Sequence, residues 1–200
     1  MTITASTVDT AVLCLRDGQP VAFPTDTVFG VGVSVGHAPS PHILYQLKQR
    51  AERKPIAWLV GSVSCLQEYG SGVPPFAQVL AETFWPGPLT LVVRASSAVP
   101  QAFRSDVGTI GLRMPNNATA LRLLQGVGCP LATTSANVAG RKPPASFQDV
   151  DPAFAQLLAA VVASDAPCSG VASTVVDCTG DHPHIIREGA ITIADILALS

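Results

Sequence analysis

Short β-prone runs interleaved with helix-periodic segments along the whole chain predict an α/β fold with a mixed sheet. Two further observations support that class. No internal repeat or low-complexity linker divides the 200 residues, so they read as one domain over 1–200, long enough to bury roughly 70% of the unfolded surface. The composition is 48% hydrophobic and 13% charged, yet the longest uncharged apolar stretch, around 153–163, is too short to span a bilayer. A core-rich soluble protein without membrane association is the expectation.

The elements follow in order. Ser6 with Asp9 resembles a capping box, after which Val8, Ala11, Val12 and Leu15 share one helical face until Gly18. A strand begins at Val21, and 28–35, alternating large residues with Gly and Ser, reads as a second. Ser40-Pro41 opens a helix with Ile43, Leu44 and Leu47 inward, placing Lys48 and Arg50 at or just past its last turn. Strands are predicted at 55–60, 89–93, 109–114, 131–134 and 174–176, and helices at 76–84, 118–124, 153–162 and 193–199.

Composition excludes several function classes. Five cysteines, odd in number and without C-x-x-C spacing, argue against a disulfide frame or a zinc site. The four histidines form no i, i+4 pair, so neither a metal site nor a His-activated nucleophile is expected. Residues 1–9 hold neither a basic n-region nor an apolar h-region, which makes a cytoplasmic location the expectation. Net charge is −2, but Lys48, Arg50, Arg53 and Lys54 cluster within seven positions, a focused anion-site candidate.

Polar constellations sit at strand ends. Pro24-Thr25-Asp26-Thr27 joins two apolar runs and reads either as a ligand-facing bend or as a Ser/Thr- or Asx-type turn closing on its own backbone. Thr133-Thr134-Ser135-Ala136-Asn137 offers donors for phosphate oxygens, or a cap for a following helix. Arg113, inside an apolar strand, demands a carboxylate or phosphate, and a buried partner such as Asp177 would also satisfy it. Ser173-Thr174 precedes another strand, and Arg187-Glu188-Gly189 ends the extended segment after it. Hydroxyls at strand ends with cations from separate elements suit an anionic, nucleotide-sized ligand. The P-loop, G-x-G-x-x-G and kinase patterns are missing. The segment 139–146 reads as a loop beside the site, able to act as a lid.

In this order, Pro24-Thr25-Asp26-Thr27 with Gly30, Lys48-x-Arg50, Trp85-Pro86-Gly87-Pro88-Leu89-Thr90, Gly111-Leu112-Arg113-x-Pro115, Thr134-Ser135-Ala136-Asn137, Ser173-Thr174-Val175-Val176-Asp177 and Arg187-Glu188-Gly189 resemble the YrdC-like threonylcarbamoyl-AMP synthases in their short form. The resemblance implies a twisted mixed sheet flanked by helices with a large concave cavity. It implies a nucleotidyltransferase that converts L-threonine, bicarbonate and ATP, with Mg²⁺, to threonylcarbamoyl-AMP and pyrophosphate, toward threonylcarbamoyladenosine in tRNA. By motif position, Thr25, Arg113 and Ser173 would hold threonine. Lys48, Arg50, Lys54, Thr109, Thr133, Ser135, Asn137 and Arg187 would hold ATP, with Lys48 and Arg50 catalytic and no protein-bound metal. The sequence departs from the family pattern at 51–54, where many members carry Pro after the Arg, and at Leu59, near which some carry a His. Asp26 receives no role. Longer members append a second domain, so hand-off to a separate tRNA threonylcarbamoyl-transferase complex is expected here, with weak tRNA binding as a further partner. An RNA-binding or ribosome-associated module of the same fold is the alternative function; the negative charge and the two Trp and two Tyr speak against it as the main role.

Overall fold

The computed structural model describes residues 3–49, 56–163 and 168–199. Val8–Arg16 forms α1, whose N-cap is Thr7: its side chain accepts from Thr10 N at 3.1 Å. The cap therefore lies one residue past the predicted Ser6, which instead forms a bridge to Val162. Val21–Phe23 (β1) and Gly30–Ser34 (β2) pair antiparallel across the polar bend, and His42–Lys48 is α2 with Leu44 and Leu47 buried. Ala57–Leu59 is β3, Cys65–Tyr69 is α3, which the sequence reading missed, and Pro75–Phe84 is α4. Leu89–Arg94 (β4) and Thr109–Arg113 (β5) follow. Ala118–Val127 (α5) runs three residues past the predicted end because Gly128, at φ 80°, supplies the left-handed cap. Leu131–Ser135 is β6, Thr174–Asp177 is β8, His184–Arg187 is β9 and Ile193–Leu197 is α7, closed by a capping box at Thr192.

The predicted helix over 153–162 is corrected. Only Pro152–Ala155 is helical (α6); Ala160–Val161 is strand β7, parallel to β1 with Val21 opposite Ala160. The local helical bias of an Ala- and Leu-rich run yields there to a non-local ladder, continued by Val162 N donating to Ala22 O at 2.8 Å.

The nine strands described make one mixed sheet in the order β7-β1-β2-β6-β3-β5-β4-β8-β9, with parallel pairs β1/β7, β3/β5 and β4/β8. Alternation assigns the two faces. On one, Val31, Val33, Trp58, Ala132, Leu112, Leu91 and Val176 enter the larger core with residues of α2, α3 and α4. On the other, α1 and α5 cover Val21, Phe23, Leu59 and Leu131. That second face continues beyond them as a row of small residues. Gly32 pairs with Thr133, Thr133 with Ala57, and Trp58 opposite Leu112 sets Ala57 beside Gly111. A Cβ on Gly32 would lie 2.8 Å from Thr133 Oγ1 and 3.0 Å from Ala132 O, so the strands close up there only around glycine. Among the described residues no helix is long and apolar enough to cross a membrane.

Candidate functional site

Two cationic centres flank this small-residue row. At the end of α2, Lys48 is 3% exposed and its Nζ donates to Ser135 O (2.8 Å), Ser135 Oγ (3.0 Å) and Asn137 Oδ1 (2.8 Å). Its own carbonyl accepts from Ala139 N at 3.0 Å. The helix terminus is thereby clamped to the end of β6, and the ammonium is presented from a rigid base. Lys48, Ser135 and Asn137, all predicted nucleotide contacts, come together. Arg50 and Lys54 lie outside the described residues.

The second centre is built on β5. Arg113 is 7% exposed, and three acceptors engage its guanidinium: Gly87 O at Nε (3.1 Å), Thr27 Oγ1 at Nη1 (2.9 Å) and Asp26 Oδ1 at Nη2 (2.5 Å). The partner suggested from sequence, Asp177, is not among them; its Oδ1 accepts from Thr179 N instead. Asp177 sits on β8, whereas the bend before β2 delivers Asp26 directly to the Arg113 side chain. Burial pulls the Arg113 guanidinium below its ordinary value; Asp26 opposes the shift and Arg187 adds to it. Burial lowers the Arg187 guanidinium as well.

Arg187 donates to Ser173 O from Nε (3.2 Å) and Nη2 (2.8 Å), and Nη2 reaches Ser173 Oγ at 3.3 Å. Ser173, 8% exposed, lies 3.0 Å from the hydroxyl of Thr90 on β4. Arg113, Ser173 and Arg187 thus belong to one neighbourhood. Thr25 borders it, but its hydroxyl is used inside the bend: it donates to Val28 O (2.7 Å) and accepts from Thr27 N (3.1 Å). For Thr25 the turn reading describes the observed hydrogen bonds.

Thr133 and Thr109 lie on the same sheet face, with hydroxyls engaged locally. Thr133 Oγ1 donates to Leu131 O (3.0 Å), and Thr109 Oγ1 is 2.7 Å from Ser105 Oγ. A cavity of about 30 Å³ borders Thr109 and Gly111, walled by Tyr45, Ile56 and Phe103. A larger one, about 190 Å³, is lined by Ile3, Ser6, Pro152, Leu158 and Val161 and contains no predicted site residue. The loop beside the site is tied at its far end: Phe29 N donates to Pro144 O (2.8 Å) and Cys168 N to Ala145 O (3.0 Å).

Asp26, Thr27 and Thr90 were missed as site residues. Each sits inside a motif already quoted, and the signal available was the demand of a buried arginine for acceptors from a neighbouring segment. Among the described residues no group of three or more His, Cys, Asp or Glu could hold a metal ion.

Comparison with known proteins fits this arrangement. The chain is 33% identical over 182 residues to the threonylcarbamoyl-AMP synthase of Pyrococcus abyssi, covering 91% of this chain and 54% of that protein. It is 30% identical over 186 residues to the threonylcarbamoyl-AMP synthase of Xylella fastidiosa, covering 92% and 98%. The crystal structure of P. abyssi Sua5 complexed with L-threonine superposes with a TM-score of 0.90 at 32% identity, covering 96% of this chain and 56% of that one. The chain therefore spans about half the length of some curated relatives and nearly all of others. The family model for Sua5, YciO and YrdC, described as telomere recombination, matches residues 14–189. On the fold, the two cationic centres and this match over most of its length, the chain belongs to the Sua5–YciO–YrdC family.

Proposed function

We propose that the chain is an L-threonylcarbamoyladenylate synthase, forming threonylcarbamoyl-AMP and pyrophosphate from L-threonine, bicarbonate and ATP. The observation that carries the reading is the pair of buried cations, Lys48 and Arg113, flanking one row of small residues in a chain whose relatives bear that activity in their names. Three of the five Arg113 N–H groups are engaged by the protein, so two remain for the fork of an α-carboxylate. Ser173 and Thr90 lie beside them for the rest of the amino acid. The Lys48 centre, with Ser135 and Asn137, faces the phosphates, joined by Arg50, Lys54, Thr109 and Thr133; Arg187, which motif position assigns to ATP, lies beside Ser173 at the Arg113 end and is counted with the amino-acid end. In this reading both substrates lie over the face of the sheet between these groups.

The chemistry needs no protein nucleophile. The threonine amine attacks the carbon of bicarbonate, losing water to give a carbamate. A carbamate oxygen then attacks the α-phosphorus, and the bond to the β-phosphate oxygen breaks to release pyrophosphate. What this chain supplies is alignment of two substrates and positive charge at the phosphoryl oxygens, with Lys48 fixed by three protein acceptors. Mg²⁺ carried by the nucleotide would neutralise the leaving pyrophosphate. The loop over 139–146 covers the mixed anhydride against water. The product then passes to a separate tRNA threonylcarbamoyl-transferase complex.

Mass spectrometry of a reaction containing ATP, bicarbonate and L-threonine tests the reading. Threonylcarbamoyl-AMP with stoichiometric pyrophosphate is expected. Absence of the adenylate, alone or with steeply salt-dependent tRNA binding, refutes it.

A further inference from the structure

Asp26 is half used. Its Oδ1 accepts from Arg113 Nη2 and from Asn116 N at 3.2 Å, while Oδ2 is buried without a hydrogen-bond partner. An asparagine would supply the same Oδ1 acceptor, and the oxygen it would replace bonds to nothing. What the carboxylate adds at this position is therefore its charge. With the side chain 14% exposed, that charge is poorly screened.

The charge faces Arg113, and a second guanidinium shares that face of the sheet. Leu91 opposite Leu112 sets Thr90 beside Arg113; Thr90 faces Val175, and Val175 faces Arg187. Cross-strand neighbours share a face, so both guanidinium groups belong to one row with Thr90 and Ser173 between them. The Arg187 charge adds to the downward shift of the Arg113 guanidinium from along that row. Two cations and one carboxylate leave one net positive charge. We propose that Asp26 is a specificity-determining residue of this end of the site: by cancelling one guanidinium charge it fits the site to a monocarboxylate and turns away a polyphosphate. ATP is thereby directed to the Lys48 centre, and the two substrates do not compete. The inference rests on the reading of Arg113 as the partner of the amino-acid carboxylate.

Asp26→Asn isolates the charge, because both hydrogen bonds to Oδ1 are kept. Calorimetric titration with sodium tripolyphosphate should find one equivalent bound by the unmodified protein, whose threonine affinity should change by less than about twofold in its presence. Asp26→Asn should bind a second equivalent and lose about tenfold or more in threonine affinity when tripolyphosphate is added. Asp26→Glu should return to one equivalent. A single equivalent in Asp26→Asn overturns the proposal, as does competition already present in the unmodified protein, a measurement that needs no folded variant. Failure of the unmodified protein to bind threonine would remove the amino-acid reading of Arg113, and the count of tripolyphosphate equivalents would still decide the role of Asp26.

Discussion

Replacing Arg113 by lysine separates what this residue does for the fold from what it does for substrate. Truncation to alanine would strip a buried carboxylate of its counter-ion, at a cost of about 3–5 kcal/mol, and lost activity would then say little. A lysine keeps a cation against Asp26 Oδ1 but gives up the planar fork that also reaches Thr27 Oγ1 and Gly87 O. One ammonium serving Asp26 cannot also present two parallel N–H groups to a carboxylate. At least one charge-assisted hydrogen bond to the ligand is lost, about 1.5–3 kcal/mol, which converts to roughly 10- to 150-fold in threonine affinity. Calorimetry with threonine alone and with ATP alone reads the two halves of the site separately, and a melting curve monitors the fold. The expected result is weakened threonine binding with ATP affinity unchanged. Normal threonine affinity with lost ATP affinity would show that the cavity is divided the other way and refute the reasoning.

Lys48→Met keeps the aliphatic stem and removes the ammonium that bridges Ser135 and Asn137; threonine-dependent pyrophosphate release should fall by about 100-fold or more, measured by a coupled phosphate assay. Gly32→Ala drives a Cβ to 2.8 Å from Thr133 Oγ1, so a loss of about 1–3 kcal/mol by urea unfolding should accompany reduced turnover. The Cys178 thiol, pushed up to about 12 by burial and then by Asp177, stays protonated well above neutrality; a disulfide-exchange reagent at pH 8 should leave it unmodified until the chain is unfolded.

Much of this was legible in the chain because the signal was local. The short β-prone runs at 89–93 and 109–114 marked β4 and β5, and the helical spacing after Ser40-Pro41 placed Lys48 at a helix end, where it is found. What could not be read depended on partners far away in sequence. Nothing in Ala160-Val161 announces a strand until β1 lies alongside, and an Ala- and Leu-rich run reads as helix without it. Thr7 displaces Ser6 as the cap because Ser6 is drawn into the bridge with Val162. The same limit applied to the site. That Arg113 needed an anion followed from its apolar strand, but choosing Asp26 over Asp177 required knowing that the bend before β2 packs against β5. Thr25 is assigned by motif position to the amino acid, and its hydroxyl bonds within its own turn, to Val28 O and Thr27 N, so the bend that carries the motif is held by the same side chain.

The order of strands has a consequence for how the molecule is made. β4 lies between β5, its near neighbour in the chain, and β8, which begins only at Thr174. During synthesis the outer edge of β4 waits on the order of 10 s at typical elongation rates before its parallel partner emerges. Its buried residues Leu89, Leu91 and Val93 are the kind that invite pairing with another chain. The arginine row is completed by that late partner and by β9 after it, so the anion site closes among the last steps of assembly. A nascent chain is thus most exposed to misassembly on the side where its two arginines will later line up.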